Sequence, residues 1–247
     1  MSSNDLVTIV LGTRPEAIKL APLILIFRKC KNLRLRVIFT GQHKELVKQV
    51  MKIFNIDYDL NLNLMREKQS LSYITKSIIG ALEEEYKEFK PKLVIVQGDT
   101  STAFAASLAA FYQKIPVAHV EAGLRTNELL NPFPEEINRR LISQISSLHF
   151  APTNAAKENL LNSGVTGKIY VTGNTVIDSL LMMARKKRKL PTTKINWLTQ
   201  DVIFATVHRR ENWGENIIKI SNAFLKIIDE MPQTALLMPL HPNPEVR

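Results

Sequence analysis

The stretch that decides the fold is LVIVQGDTSTAFAASLAAFYQKIPVAHVEAG, residues 93–123, in which two short apolar runs flank a helical pattern. The runs at 93–97 and 116–121 are almost continuously apolar, as is typical of parallel strands that are buried on both faces. The alanine-rich segment between them has the length of one crossover helix. The stretch therefore predicts a βαβ unit, and each of its strands leads into a carboxylate, Asp99 or Glu121.

The same alternation of strand and helix patterns continues along most of the 247 residues. Further strands are predicted at 6–12, 33–41, 147–151 and 168–173, and further helices at 17–30, 45–54, about 70–89, near 135–147 and 154–163. This alternation is typical of an α/β protein with a doubly wound parallel sheet. Ligands of such sheets bind at the carboxyl ends of the strands, where both carboxylates are expected to lie.

The character of the chain changes after the strand predicted at 168–173. Residues 1–174 are predicted to form one Rossmann-like domain, and 175–193 a linker helix and boundary that carries the basic run 185–189. Residues 194–247 read as one strand, one helix and another strand, the start of a second Rossmann-like domain. Two strands and a helix cannot bury a core alone, so we expect the second domain to be cut short in this chain.

Composition and charge narrow the class of protein. A hydrophobic content of 45% and a charged content of 23% are typical of a globular domain. No apolar run approaches the roughly 18 residues of a membrane span, and the N-terminus lacks the features of a signal peptide. The single cysteine, Cys30, fits a reducing cytoplasm. The net charge of +10 calls for an anionic partner, and a phosphorylated small molecule is favoured over nucleic acid or membrane because no recognition signature for these appears.

The segment GTRPEAIKLAP follows the first predicted strand directly. Gly12 is expected to let the backbone turn, Pro15 suits the first turn of a helix, and the helix amides there can hold an anion. Arg14 and Lys19 add cations. An ordinary strand-to-helix turn with an exposed arginine explains the segment equally well. No Walker A loop or G-x-G-x-x-G fingerprint is present, so ATP and NAD receive no support.

Asp99 and His119 of the opening stretch each have a purely structural alternative. Asp99 precedes a helix, where a short carboxylate is a common N-cap. Val117, His119 and Glu121 alternate along one face of the predicted strand. His119 alone is better interpreted as a core residue than as a catalyst, whereas Glu121 lies at the position of a crevice residue.

The segment NPFPEEINRR also has a structural explanation for its acids. Glu135 and Glu136 suit the positive N-terminus of a helix, and each has an arginine four residues on, Arg139 or Arg140. In the second predicted domain, His208 and Arg209 follow one strand and His241 follows another. No spacing typical of a metal-binding motif connects these residues, so no metal is expected.

Five separated blocks resemble one family in order and spacing. They are GTRPEAIKLAPLI, QGDTSTAFAASLAAFYQKIPVAHVEAGLRT, PFPEEINRR, TGNTVIDSL and HRRENWGENI, and they resemble the non-hydrolysing bacterial UDP-N-acetylglucosamine 2-epimerases. The resemblance runs from about residue 6 to the last residue. It implies a glycosyltransferase-B-like (GT-B-like) fold, in which a nucleotide sugar binds between two Rossmann-like domains. It also implies interconversion of UDP-GlcNAc and UDP-ManNAc through 2-acetamidoglucal, with no cofactor and no metal.

The resemblance also assigns roles to individual residues. The implied catalytic group is Asp99, Glu121, Glu135 and His208; the substrate-binding residues are Arg14, Lys19 and Arg209; and candidates for binding an activating second UDP-GlcNAc are Gln42, His43, Glu136 and His241. A homodimer and a separately encoded C-terminal half are the implied protein partners, since family members continue past residue 247. Three hypotheses follow: an epimerase that needs the remaining segment, a GT-B glycosyltransferase, and an inactive remnant of the family.

Overall fold

The computed structural model describes residues 5–41, 44–64, 66, 69–126, 128–186, 194–207 and 214–239. It divides the chain into two compact units, Met1–Lys187 and Arg188–Arg247. None of the helices within those described ranges is long and apolar enough to cross a membrane.

The described part of the first unit is a parallel sheet with helices on both faces. Its strands are β1 (Asp5–Leu11), β2 (Leu33–Phe39), β3 (Leu60–Asn61), β4 (Leu93–Gln97), β5 (Val117–Val120), β6 (Leu148–Ala151) and β7 (Lys168–Val171). Its helices are α1 (Arg14–Phe27), α2 (Lys44–Phe54), α3 (Leu71–Phe89), α4 (Ser101–Tyr112), α5 (Glu135–Ile145), α6 (Asn154–Asn162) and α7 (Thr175–Ala184). The predicted α/β class and the βαβ unit of the opening stretch are confirmed.

The strand order determines where a ligand site can form. The sheet runs β3-β2-β1-β4-β5-β6-β7, and every pair in it is parallel. The order therefore reverses between β1 and β4, and this reversal opens a crevice at the carboxyl ends of these strands. The two-residue strand β3 occupies one edge, in a segment for which no strand is predicted from the sequence.

The central strands β1, β4 and β5 are buried on both faces, which explains their continuous apolar runs. Ile9 and Val10 of β1 are both fully buried, although their side chains belong to different core clusters. One cluster packs against α1 and α2, and the other against α3 and α4. Helix α4 is rich in buried alanine, and these small side chains let it lie close to the sheet and to α3.

Gly12 is required for space and not for an unusual backbone angle. A Cβ atom on Gly12 would lie 2.4 Å from Oγ1 of Thr40 and 2.5 Å from Oγ1 of Thr102. The turn after β1 therefore passes directly against residues from the β2 and α4 segments. The sequence suggested a need for conformational freedom at this position, and the structure gives close approach as the reason instead.

Helix α7 lies within the first unit, although the sequence suggested a linker over 175–193. Ser179 donates from Oγ to the carbonyl oxygen of Ile18 in α1 at 2.5 Å, and Met182 and Met183 pack on the α1 side of the core. This packing explains why the first compact unit extends to Lys187. The full domain boundaries stay a prediction.

The described part of the second unit is one βαβ element. It consists of β8 (Asp201–Phe204), α8 (Glu215–Glu230) and β9 (Thr234–Leu237), and β8 pairs with β9 in parallel. Phe204, Ile218 and Leu225 are more than half exposed, because a two-stranded sheet with one helix has little area with which to cover them. The predicted elements of this segment are confirmed.

Two histidines lie side by side in the middle of the sheet. His119 of β5 and His149 of β6 are register partners, and both side chains are fully buried. Burial, the largest cause, lowers the pKa of each to about 4 from an ordinary value of 6.5, and nearby Arg125 lowers both further. Both imidazoles are therefore neutral at pH 7, as the core interpretation of His119 requires.

These two histidines predict how the stability of the protein depends on pH. The unfolded chain binds protons on both residues near pH 6.5, whereas the folded chain binds them only near pH 4. The contribution of the two neutral histidines to the free energy of unfolding should therefore be complete above pH 6.5. It should decrease as the pH drops toward 4, by up to about 1.4 kcal/mol per histidine per pH unit. Urea denaturation at several pH values measures this slope. His149→Gln should make the slope shallower, and an unchanged slope would show that His149 does not titrate as a buried neutral group.

Candidate active site

A cleft of about 430 Å³ lies at the carboxyl ends of β1, β4 and β5. The residues that line it include Thr13, Lys19, Leu71, Gln97, Asp99, Glu121, Pro134 and Glu135. A larger surface hollow of about 930 Å³ lies at the amino ends of β5, β6 and β7, and none of the described residues that line it carries a carboxylate. Its position and its lack of acids make it a poor place for proton chemistry. The smaller cleft is therefore the candidate active site.

The Glu121 carboxylate is held by donors from three different parts of the first unit. Its Oε2 accepts hydrogen bonds from Lys19 Nζ and Gln97 Nε2, both at 2.5 Å, so α1 and the end of β4 meet on one oxygen. Its Oε1 accepts a hydrogen bond from Asn174 Nδ2 at 2.7 Å. The sequence motifs indicate Lys19 and Glu121 separately but not their pairing, and they do not indicate Gln97 or Asn174 as site residues.

The backbone of Glu121 has left the strand. Its φ of 64° lies in the left-handed region, which residues other than glycine seldom adopt. The strand β5 ends at Val120, so the alternation of side chains along β5 does not extend to Glu121. The turn instead presents the carboxylate to Lys19 on α1, with only a tenth of the side chain exposed.

Asp99 faces the cleft and does not cap helix α4. The N-cap is Thr100, whose hydroxyl accepts a hydrogen bond from the Ala103 backbone amide at 3.0 Å. The capping interpretation of Asp99 is therefore wrong, because the next residue already fills that position. The Asp99 carboxylate instead forms an ion pair with Arg139 Nη1 at 3.2 Å. Burial raises the pKa of Asp99; Arg139 and Lys19 oppose this, and Glu135 and Glu121 add to it.

The two acids of α5 have different surroundings. Glu135 lines the cleft, whereas Glu136 is fully buried and accepts hydrogen bonds from Arg139, from Arg140 Nε at 2.6 Å and from the Thr126 amide at 3.0 Å. The expected pairing of Glu135 with Arg139 is wrong, because that arginine turns toward Glu136 and Asp99. Burial alone would raise the pKa of Glu136, but the hydrogen bonds from Arg140, Arg139 and Thr126 lower it to about 2.

The amides at the start of α1 are occupied by a buried carboxylate, Glu16. Its Oε2 accepts hydrogen bonds from the Gly12 amide at 2.9 Å and the Thr13 amide at 2.6 Å. Its Oε1 accepts a hydrogen bond from the Thr100 hydroxyl at 2.6 Å, and burial raises its pKa. The Gly12 and Thr13 amides are therefore not free to bind a phosphate. The ordinary strand-to-helix turn is favoured over an anion site at this position. A phosphate bound in this cleft would need its positive charge from cationic side chains.

The structure thus brings Lys19, Asp99, Glu121 and Glu135 together. Arg14 is exposed and is not among the residues that line the cleft. The remaining predicted site residues lie outside the described residues: Gln42, His43, His208, Arg209 and His241. A sequence signal existed for Gln97, a polar residue that ends an apolar strand, and for Asn174, which lies in one of the five blocks.

Comparison with known proteins identifies the family. The profile described as UDP-N-acetylglucosamine 2-epimerase matches residues 26–247. The chain belongs to this epimerase family. A curated UDP-N-acetylglucosamine 2-epimerase from Neisseria meningitidis is 50% identical over 247 aligned residues, which cover 96% of this chain and 66% of the relative. Its counterpart from Bacillus subtilis is 45% identical, over 96% of this chain and 63% of the relative.

Solved structures of epimerases have the same fold. The crystal structure of the Neisseria meningitidis UDP-GlcNAc 2-epimerase bound to UDP-GlcNAc matches with a TM-score of 0.85 and 47% identity, over 98% of this chain and 67% of that one. The fold is therefore GT-B-like, as the resemblance implied. A lipopolysaccharide outer core galactosyltransferase matches at 12% identity with a TM-score of 0.55, a likeness of fold alone. The chain spans about two thirds of the length of its epimerase relatives.

The paired charges around Glu136 predict a stability effect. Glu136→Gln should lower the free energy of unfolding at pH 7 by about 3 kcal/mol, because Arg139 and Arg140 would lose the buried carboxylate that they share. Since the pKa of Glu136 is lowered to about 2, the wild type should lose this advantage as the pH falls from 4.5 toward 2. Urea denaturation followed by circular dichroism measures both effects.

A matched control for Glu136→Gln is Glu158→Gln, which removes an exposed acid from α6. Its effect should stay within about 0.5 kcal/mol. Equal losses in the two variants would contradict the importance of the buried pairs.

Proposed function

We propose that this protein interconverts UDP-GlcNAc and UDP-ManNAc by epimerisation at C2 of the sugar. The cleft of the first unit supplies the groups that transfer the proton. The observation that carries this proposal is the meeting of Asp99, Glu121 and Glu135 with Lys19 in a single cleft, in a chain of the epimerase family. The C2 hydrogen is only weakly acidic, so its removal needs a carboxylate against one face of the sugar. A second group, which donates a proton to C2, is needed at the opposite face.

Glu121 is the proposed base. An ionised carboxylate has about four lone-pair sites, and Lys19, Gln97 and Asn174 occupy three of them. One site is left for the C2 proton. As that proton moves to Glu121, the electron pair of the C–H bond forms the C1–C2 double bond of 2-acetamidoglucal, and the C1–oxygen bond breaks. UDP leaves with the electron pair of that bond.

Asp99 is the proposed proton donor for the return step. Burial raises its pKa, and Glu135 and Glu121 raise it further, so a larger share of Asp99 carries a proton than in a free carboxyl group. In the return step an oxygen of UDP attacks C1, and the proton of Asp99 adds to C2 from the other face. Glu135 acts by keeping negative charge near Asp99.

Other parts of the proposal follow from the family resemblance. Lys19, Arg14, His208 and Arg209 are proposed to stabilise the leaving diphosphate. Gln42, His43, Glu136 and His241 stay candidates for a second nucleotide sugar. The burial of Glu136 favours an indirect role through Arg139 and Arg140. A cytoplasmic location, a homodimer and a separately encoded C-terminal half stay predictions.

Glycosyl transfer is the second candidate. A glycosyltransferase moves the sugar to an acceptor through bond changes at C1 and has no need of a base at C2. Glu121 and Asp99 therefore favour epimerisation.

Incubation with UDP-GlcNAc in deuterated water tests the proposed function. We expect deuterium at C2 and formation of UDP-ManNAc, with little exchange by the 247-residue chain alone and robust exchange once the C-terminal segment of the Neisseria meningitidis relative is joined to it. Transfer of the sugar to an acceptor without exchange at C2 would indicate a glycosyltransferase instead. The absence of exchange from both proteins would refute the epimerase proposal.

Asp99→Asn provides the matching residue test. The amide carries no transferable acidic proton, so the rate of C2 exchange should fall by roughly 10²–10⁴-fold in the completed protein. Glu158→Gln, far from the cleft in sequence and exposed on α6, should leave the rate unchanged. A near-wild-type rate for Asp99→Asn would remove Asp99 from the proton-transfer group.

A further inference from the structure

Helix α7 contacts Glu121 and the backbone next to Lys19, the two partners of an ion pair. At its N-terminus, Asn174 Nδ2 donates to Glu121 Oε1 at 2.7 Å. One turn further on, the buried Ser179 donates from Oγ to the carbonyl oxygen of Ile18, the residue that precedes Lys19. The same helix is thus tied to the carboxylate and to the backbone that carries its lysine.

The Asn174 side chain makes two hydrogen bonds of opposite kinds. Its Oδ1 accepts from the Val176 amide at 3.0 Å and so caps α7, while its Nδ2 donates to Glu121. The two contacts fix the orientation of the amide, because only the oxygen can accept and only the nitrogen can donate. Aspartate in this position would cap the helix equally well but would have no hydrogen to give to a carboxylate.

Glu121 needs this support because its position is not set by regular structure. Its backbone lies in the left-handed region and follows the last residue of β5. Its Oε2 is shared by Lys19 and Gln97, whereas among the described residues Asn174 supplies the hydrogen bond to Oε1. Loss of the Asn174 donor would leave the carboxylate free to rotate about the Oε2 contacts.

We propose that Asn174 is a positioning residue, which fixes Oε1 of Glu121 and thereby the direction in which its remaining lone pair faces the cleft. The catalytic meaning of this contact rests on the proposed function, but the contact itself does not. The proposal explains the use of an amide at this cap, where the caps of α1, α3, α4 and α6 are the hydroxyls of Thr13, Ser70, Thr100 and Thr153.

Asn174→Asp separates positioning from capping. The variant keeps an acceptor for the Val176 amide but sets a second carboxyl group against Glu121. Two carboxyl groups at hydrogen-bond distance cannot both ionise at low cost, so the pair should retain one proton well above the ordinary titration range. Difference titration of the 247-residue protein should show about one additional bound proton near pH 6 relative to wild type. Carboxyl ¹³C NMR should assign that proton to the pair that includes Glu121.

Thr153→Asp is the matched control for this titration. It adds a carboxyl group at the N-cap of α6, where the native side chain also accepts from a backbone amide, without contact to Glu121. Its new carboxyl group should be ionised near pH 6. If Asn174→Asp titrates as this control does, Asn174 does not face Glu121 and the proposal is overturned.

A second experiment measures catalysis. It uses whichever protein exchanges deuterium at C2, the 247-residue chain alone or the chain joined to the C-terminal segment of the relative. Asn174→Asp should keep the cap of α7 but lose some thermal stability at pH 7, because a carboxyl pair that retains a proton only in the folded state favours unfolding above the ordinary carboxyl range. Its exchange rate should fall at least tenfold, and its pH profile should move to higher pH. Asn174→Ser should lower the rate without moving the profile. An unchanged rate and profile in Asn174→Asp would overturn the positioning role even if the extra proton is found.

Failure of the proposed function has a different signature from failure of this inference. If the wild type never exchanges deuterium at C2, the epimerase proposal falls, and the titration of Asn174→Asp against Thr153→Asp still decides whether Asn174 holds Glu121. If the wild type exchanges and the titration shows no extra proton, the inference falls and the proposed function stands.

Discussion

The ion pair between Lys19 and Glu121 is the interaction on which the candidate site depends. It joins the first helix of the sheet's crevice to the turn after β5, across a sequence separation of 102 residues. Both side chains are largely withdrawn from water, with 22% and 10% of their surfaces exposed. Removing the lysine would leave a poorly hydrated carboxylate next to Asp99 and Glu135, which is unfavourable. The pair therefore helps Glu121 to share one small cleft with Asp99 and Glu135.

The amides just before α1 are already occupied by the Glu16 carboxyl group. Glu16 occupies the Gly12 and Thr13 amides and reaches the Thr100 hydroxyl, so it ties the start of α1 to the start of α4. A phosphate cannot use those amides while Glu16 is there. Binding of an anionic leaving group must then rely on side chains such as Lys19.

The features that depend on local sequence patterns could be predicted from the sequence. Apolar runs, crossover lengths and residues at strand ends were enough to place Asp99 and Glu121 at one edge of a doubly wound sheet. Choices between neighbouring residues were harder, because they depend on tertiary contacts. Thr100 caps α4 although Asp99 is an equally suitable cap by type, and Arg139 binds Glu136 although Glu135 has the better spacing. The contact between Asn174 and Glu121 spans 53 residues, and no local pattern reports it.

The cleft carboxylates influence one another's protonation, because Glu135 and Glu121 both raise the pKa of Asp99. Titration of Asp99 by carboxyl ¹³C NMR, in the wild type and in Glu135→Gln, tests this claim most directly. We predict that the pKa of Asp99 lies above its ordinary value of 3.8 in the wild type, and that it falls when the negative charge of Glu135 is removed. An Asp99 that titrates at or below 3.8 and is insensitive to Glu135 would contradict the shared cleft.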